Sequence, residues 1–484
     1  MNVLLLLAPE FILFTFGLIV FVVDLVRREK ASPALLQGLT LAGLAVALVA
    51  CIPLFAQNQV VLDMMVIDSL SIFFKMSVII VMILVVLSAG DYIASRSSHR
   101  GEFYGALLAA TLAMSVAVSA NNLVLIYLGM EFLSITSYIL AGFLRNDPRS
   151  NEAAIKYFLY GSVASGVMLY GFSLLYGATG GVYLTDLASV FQPDSDVSLA
   201  LGLPALVLII TGFGFKASLV PFHQWAPDTY DGAPTPITAF LSTASKATGF
   251  ALLIRTLAIG FPGLQPEWTN GLAVLAMVTM TIGNLAAMRQ TNVKRLLAYS
   301  SIAQAGYILI GLATPVAGGG AFNGINAVLI YLFAYIFTNV GAFVTVAAVE
   351  QATGSVELKD WSGLIRRQPF LATVMLIFML SLAGIPPTAG FIGKFFVFGS
   401  AIQVEQYLLA LVALINAAIA AFYYLNVVRY MFFEPAGDLP AFKIDRAVRV
   451  VLVVAVIMTL LIGLYPEPFI RWATDAAAPM LALL

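Results

Sequence analysis

The chain has 484 residues, of which 61% are hydrophobic and only 10% are charged, and its mean hydropathy is +0.98. This composition excludes a water-soluble fold. The 24 Lys and Arg residues nearly balance the 25 Asp and Glu residues, and there is no basic tail or stripe, so the charge distribution gives no indication of a nucleic-acid partner.

Uninterrupted apolar stretches of about twenty residues recur along the chain, and a helix needs this length to cross a bilayer. A membrane β-barrel would instead show runs of about ten residues in which apolar and polar side chains alternate. The sequence therefore predicts an all-α polytopic membrane protein with 14 transmembrane helices. The predicted spans cover approximately residues 4–26, 34–56, 67–89, 103–120, 123–144, 154–177, 199–220, 236–259, 271–288, 296–313, 325–349, 370–400, 407–430 and 447–465.

The distribution of basic residues predicts the orientation of these spans. Of the 24 Lys and Arg residues, 17 lie in the odd-numbered loops, so the positive-inside rule places both termini on the periplasmic side of a bacterial inner membrane. We expect the first span to be retained, because the N-terminus lacks a basic start and a small-residue cleavage site. The seventh loop, residues 221–236, is polar, rich in proline and free of lysine, and we predict that it is partly re-entrant.

Two predicted spans contain helix breakers close to a lysine. Span 12 is interrupted by AGIPPTAGFIG at residues 383–393, whose prolines and glycines cannot continue a regular helix. Span 7 meets Pro221 shortly after Lys216, and span 12 carries Lys394 shortly after its own break. The sequence therefore predicts that helices 7 and 12 are discontinuous. The alternative is that the prolines only kink two long helices.

Discontinuous helices five spans apart are typical of inverted repeats in transporters. We therefore predict that spans 4–8 and 9–13 form two inverted five-helix repeats. The predicted organisation consists of three N-terminal helices, the first repeat, the second repeat, and helix 14 with its tail, at residues 1–100, 101–260, 261–432 and 433–484.

Four ionisable residues lie deep within predicted spans, although each costs roughly 2.5 to 3.5 kcal/mol on insertion scales. They are Glu131 in span 5, Lys216 beside the break in span 7, Lys246 midway along span 8, and Lys394 near the middle of span 12. A Glu–Lys pair can exchange protons with neighbouring groups when it opens. We predict a relay in which Glu131 pairs with Lys216 and a proton passes on toward Lys246. Alternatively, Glu131 is a neutral, protonated core acid.

Three further residues have two interpretations each. Lys156 in span 6 and Lys75 in span 3 either belong to this polar set or extend their ammonium groups to the interface. His223, in the seventh loop, either loads and unloads protons at the inner side or hydrogen-bonds the bent backbone.

Cysteine and histidine are scarce in this chain. The single cysteine, Cys51, and the two histidines, His99 and His223, are too few for an iron–sulfur cluster, a structural zinc site or a bis-histidine haem. We therefore predict no metal site and no cofactor-binding site in this chain.

Two long stretches, residues 212–253 and 292–312, resemble the antiporter-like membrane subunits of respiratory complex I, the proton-pumping NADH:quinone oxidoreductase. The resemblance extends over essentially the whole chain. The motif SLAGIPPTAGFIGKF at residues 381–395 resembles the subunit N branch of the family, whose twelfth helix carries a lysine, rather than the subunit M branch, which typically has glutamate there.

The resemblance implies a proton-translocating subunit of a translocase that couples electron transfer from NADH to quinone with proton movement. It implies that Glu131 and Lys216 form the coupling pair, that Lys246 connects to the central axis, and that Lys394 passes the proton out. Lys156 matches a lysine of the family's sixth helix. The resemblance also implies a hetero-oligomer in which FMN, iron–sulfur clusters and quinone are bound by other subunits, with subunits resembling M and K as neighbours.

Other functions are compatible with parts of this pattern. A subunit of a multi-subunit Na⁺/H⁺ antiporter would share the fold and the Glu–Lys pair, but the PPTAGFIGK signature favours complex I. A structural spacer would not need a row of central lysines. A transporter of an organic substrate would carry a wider set of polar groups at its broken helices than the lysine, glycine and proline found here.

Overall fold

The computed structural model describes residues 2–27, 32–192, 197–316, 322–436 and 441–483. Arg28 and Lys30, which contribute to the predicted positive charge of the first loop, lie outside the described residues. In the described ranges the protein is helical, apart from one two-stranded antiparallel hairpin. The hairpin pairs β1 (Gln59–Val61) with β2 (Met65–Ile67), with Val60 opposite Val66.

The helices follow one another with short connections. In the first part of the chain they are α1 (Val3–Leu6), α2 (Ala8–Arg27), α3 (Pro33–Cys51), α4 (Ser69–Ala94), α5 (Arg100–Val118), α6 (Leu123–Ala141), α7 (Pro148–Thr179), α8 (Leu184–Val190), α9 (Leu203–Ala217), α10 (Trp225–Gly232), α11 (Thr235–Ser242) and α12 (Ala244–Gly260). In the second part they are α13 (Gln265–Ala287), α14 (Val293–Ala313), α15 (Gly324–Thr353), α16 (Leu364–Arg367), α17 (Pro369–Ala383), α18 (Ala389–Gln403), α19 (Tyr407–Phe432), α20 (Arg446–Leu464) and α21 (Glu467–Leu481).

Thirteen helical segments of the described residues are long and apolar enough to cross a membrane. They coincide in order with the predicted spans other than span 12, where two shorter apolar helices, α17 and α18, are found instead. The prediction of an all-α polytopic membrane protein is therefore confirmed. The total of 14 spans, the two inverted repeats and the four-part division of the chain stay predictions.

The predicted helix breaks are present at both lysines. Helix α9 ends at Ala217 and is followed by Ser218 in the left-handed region at φ 59°. Helix α17 ends at Ala383 and is followed by Gly384 at φ 86°, and α18 begins only at Ala389. The backbone carbonyls of the last turns of α9 and α17 are thereby freed from the regular helical ladder.

The seventh loop contains the short helix α10, and side chains of this helix pack in the interior of the protein. The indole Nε1 of Trp225 donates to the Phe215 carbonyl at 2.9 Å, and its ring stacks on that of Tyr157 at a centroid distance of 4.2 Å. Trp225 and Tyr230 are buried. This packing is compatible with a re-entrant segment, because the loop is held against α7 and α9 rather than extended into solvent.

A third break, which the sequence did not indicate, divides span 8 at Thr243. The Thr243 hydroxyl donates to the Ala239 carbonyl at 2.6 Å, and the Ser242 hydroxyl donates to the same carbonyl at 3.0 Å. Hydroxyls that bond back to the preceding turn bend helices without any proline. As a consequence, Lys246 lies in the first turn of α12 rather than midway along a continuous helix.

The core of the protein lies around span 8 and α15. Residues 235–258 and 324–349 are buried throughout, whereas α2, α3, α19 and α20 expose much of their apolar surface at the periphery. A chain in water would not leave such faces uncovered, but in a bilayer they contact lipid or neighbouring subunits.

Two buried ion pairs attach the N-terminal helices to the rest of the fold. The Lys75 ammonium lies 2.7 Å from the Glu10 carboxylate, and the Arg255 guanidinium lies 2.8 Å from the Asp68 carboxylate. Lys75 is 0% exposed, so the interpretation in which its ammonium reaches the interface is wrong. Sequence reasoning did not single out Glu10 or the Arg255–Asp68 pair.

We predict that Arg255→Met lowers the free energy of unfolding by about 3 to 5 kcal/mol, because Asp68 is then left buried and unpaired. The double variant Arg255→Met/Asp68→Asn should recover part of this loss. Chemical denaturation in mild detergent measures both. Arg471→Met is the matched control, since the Arg471–Glu467 pair is exposed. Equal losses of unfolding free energy in Arg255→Met and Arg471→Met would contradict the stabilising role of the buried Arg255–Asp68 pair.

Candidate functional site

Four lysines of the described residues are buried without a salt bridge: the three predicted ones and Lys294, whose Nζ donates to the Ala233 carbonyl at 2.9 Å. Lys216, Lys246 and Lys394 are 0%, 3% and 4% exposed. Each ammonium lies over a tyrosine ring: Lys216 at 5.7 Å from the Tyr157 centroid, Lys246 at 5.9 Å from that of Tyr230, and Lys394 at 4.9 Å from that of Tyr307. The ring faces provide partial stabilisation of the cations. Sequence reasoning identified the lysines but not these tyrosines.

Lys216 occupies the last turn of α9, where the helix dipole favours a positive charge. Its Nζ donates to the Ser134 hydroxyl and to the Tyr157 hydroxyl, both at 3.3 Å. Ser134 belongs to α6, one turn after Glu131. Helix α6, which carries Glu131, therefore also supplies a hydrogen-bond acceptor to Lys216.

Glu131 itself is half-buried on α6 and accepts a hydrogen bond from the Ser165 hydroxyl of α7. The salt bridges of the described residues do not include one between Glu131 and Lys216. The predicted coupling pair is thus brought onto neighbouring helices, but its two charged groups are not in direct contact. A pairing of the two stays a prediction.

The Lys246 ammonium donates to the Ser301 carbonyl at 3.0 Å, and a cluster of hydroxyl groups adjoins the side chain of the same serine. The Tyr230 hydroxyl faces those of Ser218 and Ser301, and the Tyr335 hydroxyl also faces that of Ser301. These hydroxyls are buried, yet none makes a hydrogen bond of good geometry with a described residue. Buried polar groups of this kind are normally bridged by ordered water.

This hydroxyl cluster adjoins the segments that carry the first two lysines. Ser218 directly follows the helix that ends beside Lys216, and Ser301 holds the Lys246 ammonium through its carbonyl. Tyr230 of the seventh-loop helix stands between these two serines. The loop therefore contributes a bridging hydroxyl, in addition to covering the inner side of the broken helix.

A second set of polar contacts leads from Lys246 toward Lys394. Gln304, one turn after Ser301, donates to the Tyr424 hydroxyl and to the Leu382 carbonyl, both at 3.0 Å. Its Oε1 accepts a hydrogen bond from Tyr331. The Lys394 ammonium donates to the same Leu382 carbonyl at 3.0 Å. Sequence reasoning missed Gln304, although an amide in the middle of a buried apolar helix was a usable signal.

The break in span 12 supplies the environment of Lys394. Its Nζ donates to the carbonyls of Leu382 and Ala383, at 3.0 and 2.8 Å, at the C-terminal end of α17. Carbonyls at a helix C-terminus carry partial negative charge and favour a cation. A Cβ atom at Gly384 would lie 2.7 Å from the Lys394 Cδ, so the glycine is required both by its φ of 86° and by this close approach.

The other two candidates, Lys156 and His223, lie apart from the three lysines, toward the loops. Lys156 forms ion pairs with Glu152 at 2.6 Å and with Asp228 of α10 at 2.7 Å. Asp228 also binds Arg295 at 2.7 Å. The ammonium of Lys156 therefore extends toward a charged loop cluster rather than into the central path.

His223 lies in the turn between α9 and α10 and is partly exposed. Burial lowers the pKa of the His223 imidazole, and the positive charge of Lys246 adds to this, while an interaction with the Pro221 backbone acts in the opposite direction. Both interpretations of His223, proton loading and support of the bent backbone, stay predictions. The part of the chain that the structure describes contains no group of three or more His, Cys, Asp or Glu side chains that could hold a metal ion.

Comparisons with known proteins agree with these features. The family model described as NADH:quinone oxidoreductase/Mrp antiporter, TM matches residues 120–420. NADH-quinone oxidoreductase subunit N of Desulforamulus reducens is 41% identical over 482 residues, which cover 98% of each chain. NAD(P)H-quinone oxidoreductase subunit 2 of Gloeobacter violaceus is 40% identical over 481 residues, which cover 96% of this chain and 91% of that protein.

Solved structures show the same fold. A chain of respiratory complex I from Thermus thermophilus with bound aureothin superposes with a TM-score of 0.81 at 33% identity, covering 96% of this chain and 98% of that one. A chain of the Mrp complex from Dietzia superposes with a TM-score of 0.85 at 22% identity, covering 100% and 99%. The latter likeness concerns the fold alone.

We predict that Gly384→Ala lowers thermal stability more than Gly354→Ala does. Both glycines have positive φ, at 86° and 70°, so both substitutions carry a backbone strain of roughly 1 to 3 kcal/mol. Only the alanine at 384 collides with Lys394, since nothing lies within 4 Å of a Cβ at Gly354. Thermal unfolding of the detergent-purified protein compares the two. Identical shifts in the unfolding midpoint would contradict the positioning role of Gly384.

Proposed function

Because the chain belongs to the subunit N branch of the antiporter-like membrane subunits of NADH:quinone oxidoreductase, we propose that it carries protons along a path through Lys216, Lys246 and Lys394. As a membrane subunit of complex I, it is part of a hetero-oligomeric translocase that contains other antiporter-like subunits. In this proposal, quinone chemistry elsewhere in the complex drives protonation changes along the chain.

The observation that carries the proposal is the series of polar groups joining the three lysines. The Tyr230 hydroxyl faces Ser218, which directly follows the Lys216 helix, and Ser301, whose carbonyl binds Lys246. Gln304 shares the Leu382 carbonyl with Lys394. Proton transfer requires donors and acceptors within hydrogen-bond reach, directly or through one water. An apolar gap at any point would interrupt the transfer.

The three lysines are suited to proton exchange because they are buried without a carboxylate partner among the described residues. None has a salt bridge among the described residues, and their ligands are carbonyls, hydroxyls and ring faces. A carboxylate held against an ammonium would fix the proton on the lysine, whereas neutral ligands leave the charged and neutral forms closer in energy. We propose that movement of Glu131 toward or away from Lys216 changes this balance.

The polar cluster near the loops has a separate role in the proposal. Lys156 and Arg295 hold α10 in place through Asp228, and His223 lies in the turn that leads into this helix. We infer that protons enter through this region from the inner side and leave beyond Lys394. This direction follows the orientation in which both termini lie in the periplasm of a bacterial inner membrane.

The proposal places the redox groups outside this chain. FMN, the iron–sulfur clusters and the quinone are bound by other subunits, and the direct neighbours are subunits resembling M and K. The alternative, a subunit of a multi-subunit Na⁺/H⁺ antiporter, shares the fold. It is favoured less because the relative in the Mrp complex is 22% identical, whereas curated subunit N relatives reach 41% over nearly the full chain.

We predict that Lys216→Met and Glu131→Gln each lower NADH:quinone reductase activity and coupled proton pumping by about tenfold or more, because each removes one titrating member of the relay. Activity of the assembled complex in proteoliposomes, with internal acidification recorded in parallel, provides the measurement. Lys359→Met is the control, since Lys359 is exposed in a loop. Normal pumping in both relay variants would overturn the proposal, and sodium-dependent proton exchange without redox activity would favour the antiporter.

We also predict that Gln304→Leu lowers proton pumping while the complex still assembles, because leucine has a similar volume but cannot bridge Tyr331, Tyr424 and Leu382. Gln290→Leu is the matched control, since the Gln290 side chain bonds only within its own helix end, to Ala286. Size-exclusion chromatography checks assembly. A Gln304→Leu complex that pumps like the Gln290→Leu complex would exclude Gln304 from the path.

A further inference from the structure

A basic cleft opens at the end of the molecule where α4 meets α5 and α6 meets α7. It has a volume of about 650 Å³ and is lined by residues 94–100 and 143–147. Three arginines line it, Arg96, Arg100 and Arg145, together with the hydroxyls of neighbouring serines. Asp147 is the only acid among the described residues that line the cleft, so this lining carries a net positive charge.

Two of these arginines are free of carboxylate partners among the described residues. Arg96 lies over the Tyr92 ring at 3.9 Å and donates to the Tyr92 carbonyl. Arg100 donates to the Ala94 carbonyl at 3.0 Å, while its Nε is buried and makes no hydrogen bond within the described part of the chain. Both guanidinium groups therefore retain donors for an anion.

The other charges at the cleft are already paired. Arg145 binds Glu102 at 3.0 Å, and the His99 Nδ1 lies 3.3 Å from the same carboxylate. Asp147 lies 3.7 Å from Arg149. The unpaired positive charge is thus concentrated at Arg96 and Arg100.

An apolar groove continues from this cleft along the outside of α6 and α7. The groove has a volume of about 400 Å³ and shares Phe143 and Arg145 with the cleft. Its walls include Ile139, Ile155 and Phe158, which are 55%, 59% and 52% exposed. Both helices are membrane spans, so the groove runs from the predicted inner interface into the hydrocarbon region.

We propose that the cleft and groove together bind one anionic phospholipid of the inner leaflet. The phosphate binds Arg96 and Arg100, and an acyl chain lies along Ile139, Ile155 and Phe158. A basic pocket between transmembrane helices on the cytoplasmic side suits an anionic headgroup, and the connected apolar groove suits its chain. A peptide partner would fit less well, because the groove wall offers few hydrogen-bonding groups.

Photolabelling of the assembled complex in nanodiscs tests this site. The probe is phosphatidylglycerol with a photoactivatable acyl chain, and phosphatidylcholine with the same chain is the comparison. Mass spectrometry of the labelled peptides should place the phosphatidylglycerol probe on residues 139–158, in clear excess over the phosphatidylcholine probe. We expect Arg96→Gln/Arg100→Gln to reduce this labelling roughly fivefold or more. Arg446→Gln/Arg449→Gln, exposed near another loop, should leave it unchanged.

Several outcomes would overturn the proposal. Equal labelling by the two probes would mean that the groove holds ordinary bulk lipid. Unlabelled groove peptides in the intact complex would mean that a neighbouring subunit covers this face. A third outcome is that added inorganic phosphate occupies the arginines while the lipid probe still labels residues 139–158. The cleft would then bind free phosphate and not the headgroup of the lipid. Should the double variant not assemble, Arg96→Gln alone and the probe comparison on the unaltered complex still decide the question.

Discussion

An ammonium group in the interior of a membrane protein must replace its lost hydration with other electron-rich groups. Lys394 obtains them from the two carbonyls that α17 leaves free at its end, and Lys246 obtains one from Ser301. The Ser301 carbonyl lies within the continuous helix α14, whereas the carbonyls of Leu382 and Ala383 are available because α17 ends at Ala383. The break in span 12 is therefore the means by which the fold accommodates Lys394 without a salt bridge.

This constraint also accounts for the arrangement around the breaks. Gly384 permits both the left-handed turn and the close approach of the Lys394 side chain. At the first break, Trp225 fixes α10 against α9, and Tyr230 is thereby placed between Ser218 and Ser301. The packing at the first break thus brings together three hydroxyl groups that belong to the proposed proton path.

Much of the fold was predictable, because an apolar stretch long enough to cross the bilayer marks the position of a transmembrane helix. The breaks at 217–224 and 384–388 were predictable because prolines and glycines cause them. The break at Thr243 was not, since it depends on hydroxyls that bond back to Ala239, and the same residues occur in continuous helices.

The site was predictable only in part. Charged residues in apolar spans are conspicuous, so all four central residues could be named. The tyrosines beside the lysines, Tyr157, Tyr230 and Tyr307, could not be, because contacts between separate helices do not follow from spacing along the chain. The same holds for Gln304, which shares the Leu382 carbonyl with Lys394. Likewise, neither the partnership of Lys75 with Glu10 nor the lack of contact between Glu131 and Lys216 follows from spacing along the chain.

The central claim, a continuous polar path through the three lysines, is tested most directly by locating ordered water in a high-resolution cryo-electron microscopy map of the assembled complex. The account predicts water molecules that bridge Ser218, Tyr230, Ser301 and Tyr335, and further water between Lys246 and the Gln304–Lys394 region. A dry interior in which apolar side chains separate any two of these lysines would contradict it.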